Sequence, residues 1–137
     1  MTTNPQSTRR FEEAVESFFR IMGYETHPNI ALHTRPVHIH AKIHHPHGTQ
    51  RILIGCKHTE EGPIGLKEVE KFCSSVALAR DKSQVDRGLL VSGSNFSEEA
   101  TAWVARNCTF VELKTYKQVI HKSIRFNKLM KKFHSAL

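Results

Sequence analysis

Apolar residues recur at Phe11, Val15, Phe18, Phe19 and Met22, the three-and-four spacing of one helix face, and Gly23 supplies a stop. An extended region, "PNIALHT", comes next. "VHIHAKIH" (37–44) and "RILIGCKH" (51–58) then alternate apolar and polar positions, with the turn "HHPHGTQ" between them. That pattern predicts a hairpin or a meander. A second helix is predicted from about Gly65, with Leu66, Val69, Phe72, Cys73 and Val76 on one face. "RGLLVSG", a short apolar run between turn residues, suits a buried strand. Ser97 is placed to cap a third helix, "SEEATAWVARN", whose Glu98 and Glu99 suit the positive end of its dipole. "CTFVEL" reads as a further strand. Thr115 and Gln118 have capping-box spacing and open a long basic helix to about Phe133. The order α-β-β-β-α-β-α-β-α predicts an α/β (mixed α+β) domain: a central mixed β-sheet with helices on both faces.

Length adds that 137 residues make one domain, and 39% hydrophobic residues suffice for a core. No apolar run approaches the roughly 18 residues of a membrane span. The polar start "MTTNPQSTRR" lacks the apolar segment of a secretion signal and reads as a disordered lead-in. Cys56, Cys73 and Cys108 lack C-x-x-C spacing. They are expected to be small core thiols of a cytoplasmic protein.

Charge changes the picture. The net charge is +7, yet the seven cations after Glu112 (Lys114, Lys117, Lys122, Arg125, Lys128, Lys131 and Lys132) have no acid among them, so residues 1–112 are neutral. This favours an anionic partner at the C-terminal element; a solvated helix face or a linker onward is the plainer account. No Asp or Glu lies between Glu25 and Glu60, and eight of the ten histidines fall in that window, which is therefore neutral to positive.

Strand alternation puts Val37, Ile39, Ala41 and Ile43 on one face and His38, His40, Lys42 and His44 on the other. In the next strand Ile52, Ile54 and Cys56 oppose Arg51, Leu53, Gly55 and Lys57. With the polar faces aligned, His38, His40 and Lys57 become neighbours.

These segments carry a resemblance. "FEEAVESFFRIMGYE" resembles the opening helix of the Mrr-like branch of the PD-(D/E)xK restriction endonucleases, and "RILIGCKH" resembles their central strand, which ends in an acid or Gln, any residue, then Lys. "RGLLVSGSNFSEEA" is similar to their later strand, loop and helix, and "CTFVEL" to the closing strand. The resemblance spans residues 10 to 120. It implies a restriction endonuclease-like core over 9–113, after a lead-in at 1–8 and before the basic helix at 114–137. It implies metal-assisted phosphodiester hydrolysis, with Mg²⁺ on two acidic ligands and a Lys beside the attacking water.

Carried over by position, the Lys is Lys57, the acid-or-Gln is Gly55, the Asp falls at His38 (or His40 with a shift of two), and a helix carboxylate falls at Glu12. Both central ligands are therefore replaced. Imidazole suits Mg²⁺ poorly and glycine offers no side chain. Each residue has a plainer reading. Lys57 is a strand-end cation or a phosphate contact, Glu12 a helix-surface carboxylate, and the histidines a polar strand face. His38 and His40, two apart on one strand, can also chelate Zn²⁺, Ni²⁺ or Cu²⁺. Trp103 reads as packing.

The resulting expectation is a catalytically degenerate restriction-endonuclease-like domain without a cofactor. It would bind nucleic acid, DNA before RNA, through Lys42, Arg51, Lys57, Lys117, Lys122, Arg125 and Lys128, in sensing, assembly or defence. One alternative is an active endonuclease using Glu12, Lys57, the histidines and a divalent metal ion. Another is an interaction module in which Tyr116, Val119, Ile120 and Ile124 form a dimer contact or lead into a downstream domain.

Overall fold

The computed structural model describes residues 5–29, 38–59 and 61–121. The chain runs α1 (Pro5–Ile21), β1 (Glu25–Asn29), β2 (His38–His45), β3 (Gly48–Lys57), α2 (Leu66–Asp81), β4 (Arg87–Ser92), α3 (Glu98–Asn107) and β5 (Val111–Thr115). A further helix covers 116–121 of the described residues. This is the order expected from periodicity.

Boundaries differ in two places. Helix α1 begins at Pro5, so residues 5–8, expected as disordered lead-in, belong to the helix. Proline is tolerated in a first helical turn, where its missing N–H is no loss. Strand β1 occupies Glu25–Asn29 rather than starting at Pro28; residues 30–34 of the expected strand lie outside the described residues.

The stop after α1 has a specific cause. Gly23 sits at φ 99°, in the left-handed region that favours glycine. There the Gly23 N–H donates to the Arg20 carbonyl (3.0 Å) and the Tyr24 N–H to the Phe19 carbonyl (2.9 Å). That is the Schellman pattern, and the Phe19 and Tyr24 rings meet edge to face at 5.2 Å as its apolar contact. The other caps follow the sequence signals. Ser97 Oγ accepts from the Ala100 N–H at 3.1 Å. Thr115 and Gln118 exchange reciprocal bonds of 2.9 and 3.2 Å.

The five strands pair in sequence order, β1-β2-β3-β4-β5. The first three are antiparallel and the last three parallel. Two successive right-handed crossovers in one direction put α2 and α3 on the same sheet face. That face buries Leu53, Phe72, Val76, Leu90, Val104 and Val111, with Trp103 packed beside them. Trp103 is thus a packing residue, as expected. The opposite face buries Ile39, Ile52, Ile54, Cys56 and Val91 against Val15 and Phe19 of α1. Tyr116 and Val119 pack onto this second cluster, with the Phe11 and Tyr116 rings 5.6 Å apart. These two members of the C-terminal apolar stripe are therefore partly covered by the domain itself; Ile124 lies outside the described residues. All three cysteines are buried thiols. No helix among the described residues is long and apolar enough to cross a membrane.

Candidate functional site

The antiparallel register sets His38 opposite Gly55, His40 opposite Leu53 and Lys42 opposite Arg51. The polar alternations of β2 and β3 therefore share the α2 side of the sheet, as the sequence predicts. His38 and Lys57 are close enough for the ammonium to act on the imidazole. Burial holds both His38 and His40 below the usual histidine range; the neighbouring His40 and Lys57 charges add to the effect at His38, and His27 adds to it at His40. Neutral imidazoles are the result near pH 7.

The position that matters most is Gly55. A Cβ added there would stand 2.6 and 2.7 Å from two Phe72 ring carbons and 3.1 Å from a Leu90 methyl. The space that a metal-holding side chain would need is filled by an aromatic ring from α2. The His38 ring in turn meets Phe72 edge to face, with centroids 5.6 Å apart. Gly88 on the neighbouring strand completes the fit, since a Cβ there would lie 2.4 Å from Val76. Two glycines on adjacent strands thus let α2 settle directly onto the sheet.

Lys57 ends β3, beside Ser92 of β4. Its Nζ lies 3.2 Å from Glu68 Oε2, and both side chains are partly exposed. Glu68 sits in the first turn of α2, where the helix dipole favours a carboxylate. The loop after β4 closes this end of the sheet. The Gly93 N–H donates to the Lys57 carbonyl at 3.0 Å. The fully buried Ser92 accepts the Ser94 N–H through its Oγ at 2.9 Å. At Gly93 a Cβ would meet His58 Nδ1 at 2.5 Å, so the glycine makes room for that ring. Crevices at the carboxyl ends of parallel strands are the usual ligand positions in open α/β sheets.

Glu12 takes the other side. It lies near Cys56, on the α1 face, where burial and then the charges of Glu12 and Glu16 push the Cys56 thiol upward. Among the described residues no group of three or more His, Cys, Asp or Glu side chains is arranged to hold a metal ion. His38, one half of the possible two-imidazole chelate, meets Phe72 edge to face, and His40, the other half, is paired in register with His27. A hard Mg²⁺ ion needs several oxygen ligands. The glycine at 55, the ring over it and the imidazole at 38 do not fit that requirement.

Of the expected binding residues, Lys42 and Arg51 are brought face to face, while Lys57 ends the same strand as Arg51. Lys117 is exposed at the start of the last helix. Lys122, Arg125 and Lys128 lie outside the described residues. Sequence reasoning missed Glu68, Phe72 and His27 as neighbours of the site. An acid in the first turn of the helix after Lys57 was a usable signal for Glu68. No local pattern could place the Phe72 ring over Gly55.

Residues 4–122 match the restriction endonuclease family described as Mrr_cat. None of the curated proteins matches the sequence. The fold is similar to that of EndoMS in its apo form (TM-score 0.54, 18% identity, 77% of this chain and 44% of that one). It is similar also to the DNA modification-dependent restriction endonuclease AspBHI (0.52, 15%, 88% and 35%). A repair endonuclease from Pyrococcus abyssi matches at 0.52, with 11% identity, over 84% of this chain and 47% of that one. The chain therefore spans less than half the length of each of these three structures.

Proposed function

The chain belongs to the restriction endonuclease family, and we propose that it is a member that grips nucleic acid without cutting it. One observation carries this reading: the Phe72 ring stands where the second metal ligand would project, over a residue that has no side chain. The replacement is built into the core, because Phe72 is 3% exposed and packs with Val76 and Leu90. Lys57, held by Glu68, then acts as a cation rather than as a partner of a metal-activated water.

Removing acids from the 26–59 window also removes repulsion of phosphates. Lys42, Arg51 and Lys57 remain there, and the seven cations after Glu112, which carry the whole net charge of +7, favour a polyanion at the C-terminal element. The oligonucleotide complex of the similar MspJI restriction endonuclease (TM-score 0.50, 14% identity) supports DNA as the partner. Binding through phosphates is largely independent of sequence and steeply salt-dependent. A role in sensing, assembly or defence belongs to the same proposal.

A second reading, a working nuclease, is favoured by one contact, the 3.2 Å Lys57–Glu68 pair beside His38. Two assays separate the readings. Mobility shift of duplex DNA is expected at about 50 mM salt, with affinity falling sharply as salt rises. Plasmid nicking is expected in none of Mg²⁺, Mn²⁺, Zn²⁺ or Ni²⁺. Metal-dependent nicking abolished by Lys57→Ala would establish the nuclease instead, and no retention at low salt would remove the binding reading.

A further inference from the structure

Helix α2 covers only part of its sheet face. Beyond it, a cavity of about 200 Å³ opens between β1, β2, β3 and the turn after α2. Its polar lining side chains are His27, His40, Lys42, Arg51 and Gln84, and no carboxylate is among them. Each of the five can donate a hydrogen bond, and Lys42 and Arg51 carry permanent positive charge. Register brings them together, since His27 pairs with His40 and Lys42 with Arg51.

The two nearest acids are partly occupied. Asp86 accepts the Arg51 backbone N–H at 2.8 Å and its guanidinium at 3.4 Å. Glu25 lies 3.3 Å from His27 Nε2, 3.8 Å from Lys42 Nζ and 3.8 Å from His44 Nε2. Exposed ion pairs of this length hold weakly in water, so a doubly hydrogen-bonding anion can displace them. Arg51 is pre-aimed. Its Nη1 donates to the Ser83 carbonyl at 2.7 Å, leaving other N–H groups of its five to face a ligand.

The turn at the rim is the C-terminal cap of α2. Ser83, at φ 57°, is its left-handed residue; the Ser83 N–H donates to the Arg80 carbonyl and the Gln84 N–H to the Ala79 carbonyl, both at 2.9 Å. From this cap the Ser83 carbonyl accepts from Arg51 and Gln84 lines the cavity.

We propose that this cavity seats a single phosphate group of a bound nucleic acid, held by Lys42, Arg51, Gln84 and the His27–His40 pair. The proposal rests on the nucleic-acid reading above and names a contact within it. The volume falls below the roughly 300 Å³ at which pockets for whole small molecules begin, which suits a phosphoryl group rather than a nucleotide. Arg51 lies six residues before Lys57 on one strand, about 20 Å away, so the cavity is separate from the Lys57 crevice.

The test is titration of the ¹⁵N-labelled full chain with a short DNA duplex, with inorganic pyrophosphate and with polyglutamate. Amide shifts at Lys42, Arg51 and Gln84 are expected with duplex and pyrophosphate. Lys42→Ala, at a half-exposed site, is expected to lower the log–log salt slope of duplex binding by about 0.9, the loss of one phosphate contact; Lys42→Arg restores it. Duplex binding with an unchanged slope and shifts elsewhere would overturn the cavity while the binding reading stands. A response to polyglutamate stronger than to duplex would also overturn it, in favour of an acidic protein partner. Binding of neither duplex nor pyrophosphate would remove both.

Discussion

Gly55→Ala is the most informative single substitution. The new methyl carbon would sit 2.6 Å from Phe72 Cε1, 2.7 Å from Cδ1 and 3.1 Å from a Leu90 methyl. Carbon atoms pack comfortably at about 3.5–4.0 Å, so the ring must retreat by about 1 Å. It has nowhere free to go, being 3% exposed and bounded by Val76, Leu90 and the His38 ring. Overpacking of this kind costs about 1–3 kcal/mol. Against it stands about 0.5–1 kcal/mol gained by removing a glycine from a strand interior. The net is a destabilisation of about 1 kcal/mol at mid-range and about 2.5 kcal/mol at most, read as a lowered urea midpoint by circular dichroism.

Phe72→Leu supplies the control. Alone it destabilises by loss of buried contacts, but it vacates the space over residue 55. The double variant should therefore be more stable than the sum of the singles predicts, with a coupling of at least about 0.5 kcal/mol. Additive singles would refute the claim that the ring fills the space over residue 55. The same geometry predicts that Gly55→Glu alone does not create a metal site, because its carboxylate has no room to lie over the sheet.

Three further outcomes follow from particular groups. Ser83→Gly relieves the left-handed serine and should raise stability by about 0.5–1 kcal/mol in the same denaturation assay; a loss would show the serine side chain to be needed. Because folding lowers the His38 and His40 values below their ordinary 6.5, the unfolded chain takes up protons first. Their stabilising contribution is present above pH 6.5 and is lost as pH falls through the folded values. A melting temperature lower at pH 5.5 than at 7.5 is expected, with a smaller drop in His38→Gln; an increase on acidification would contradict the burial argument. Burial pushes the Cys73 thiol up to about 12, with Cys108 contributing, and Cys56 higher still. Maleimide labelling at pH 7.5 should be slow in the native protein and fast in urea; rapid native labelling of Cys56 or Cys73 would refute their enclosure.

Much of the architecture was readable along the chain because its signals are local. Helix periodicity, the glycine stop at 23, the Ser97 cap and the Thr115–Gln118 box each act within one or two turns, and each is present. The β2–β3 alternation set the register, since a one-residue slip would move every side chain to the other face. The start of α1 and the position of β1 were misplaced, because polar residues in a first helical turn and a five-residue edge strand carry little periodic signal.

The candidate site divides along the same line. The sequence by itself determined that no acid stands between Glu25 and Glu60 and that glycine holds position 55. It could not say what fills the space above that glycine, since Phe72 is 17 residues away and reaches it only through the α2 crossover. Nor could it assemble the cavity, whose lining comes from three strands and a turn. Local hydrogen-bonding and periodicity are properties of neighbouring residues; which ring or cation meets which strand is settled only when helix packs on sheet.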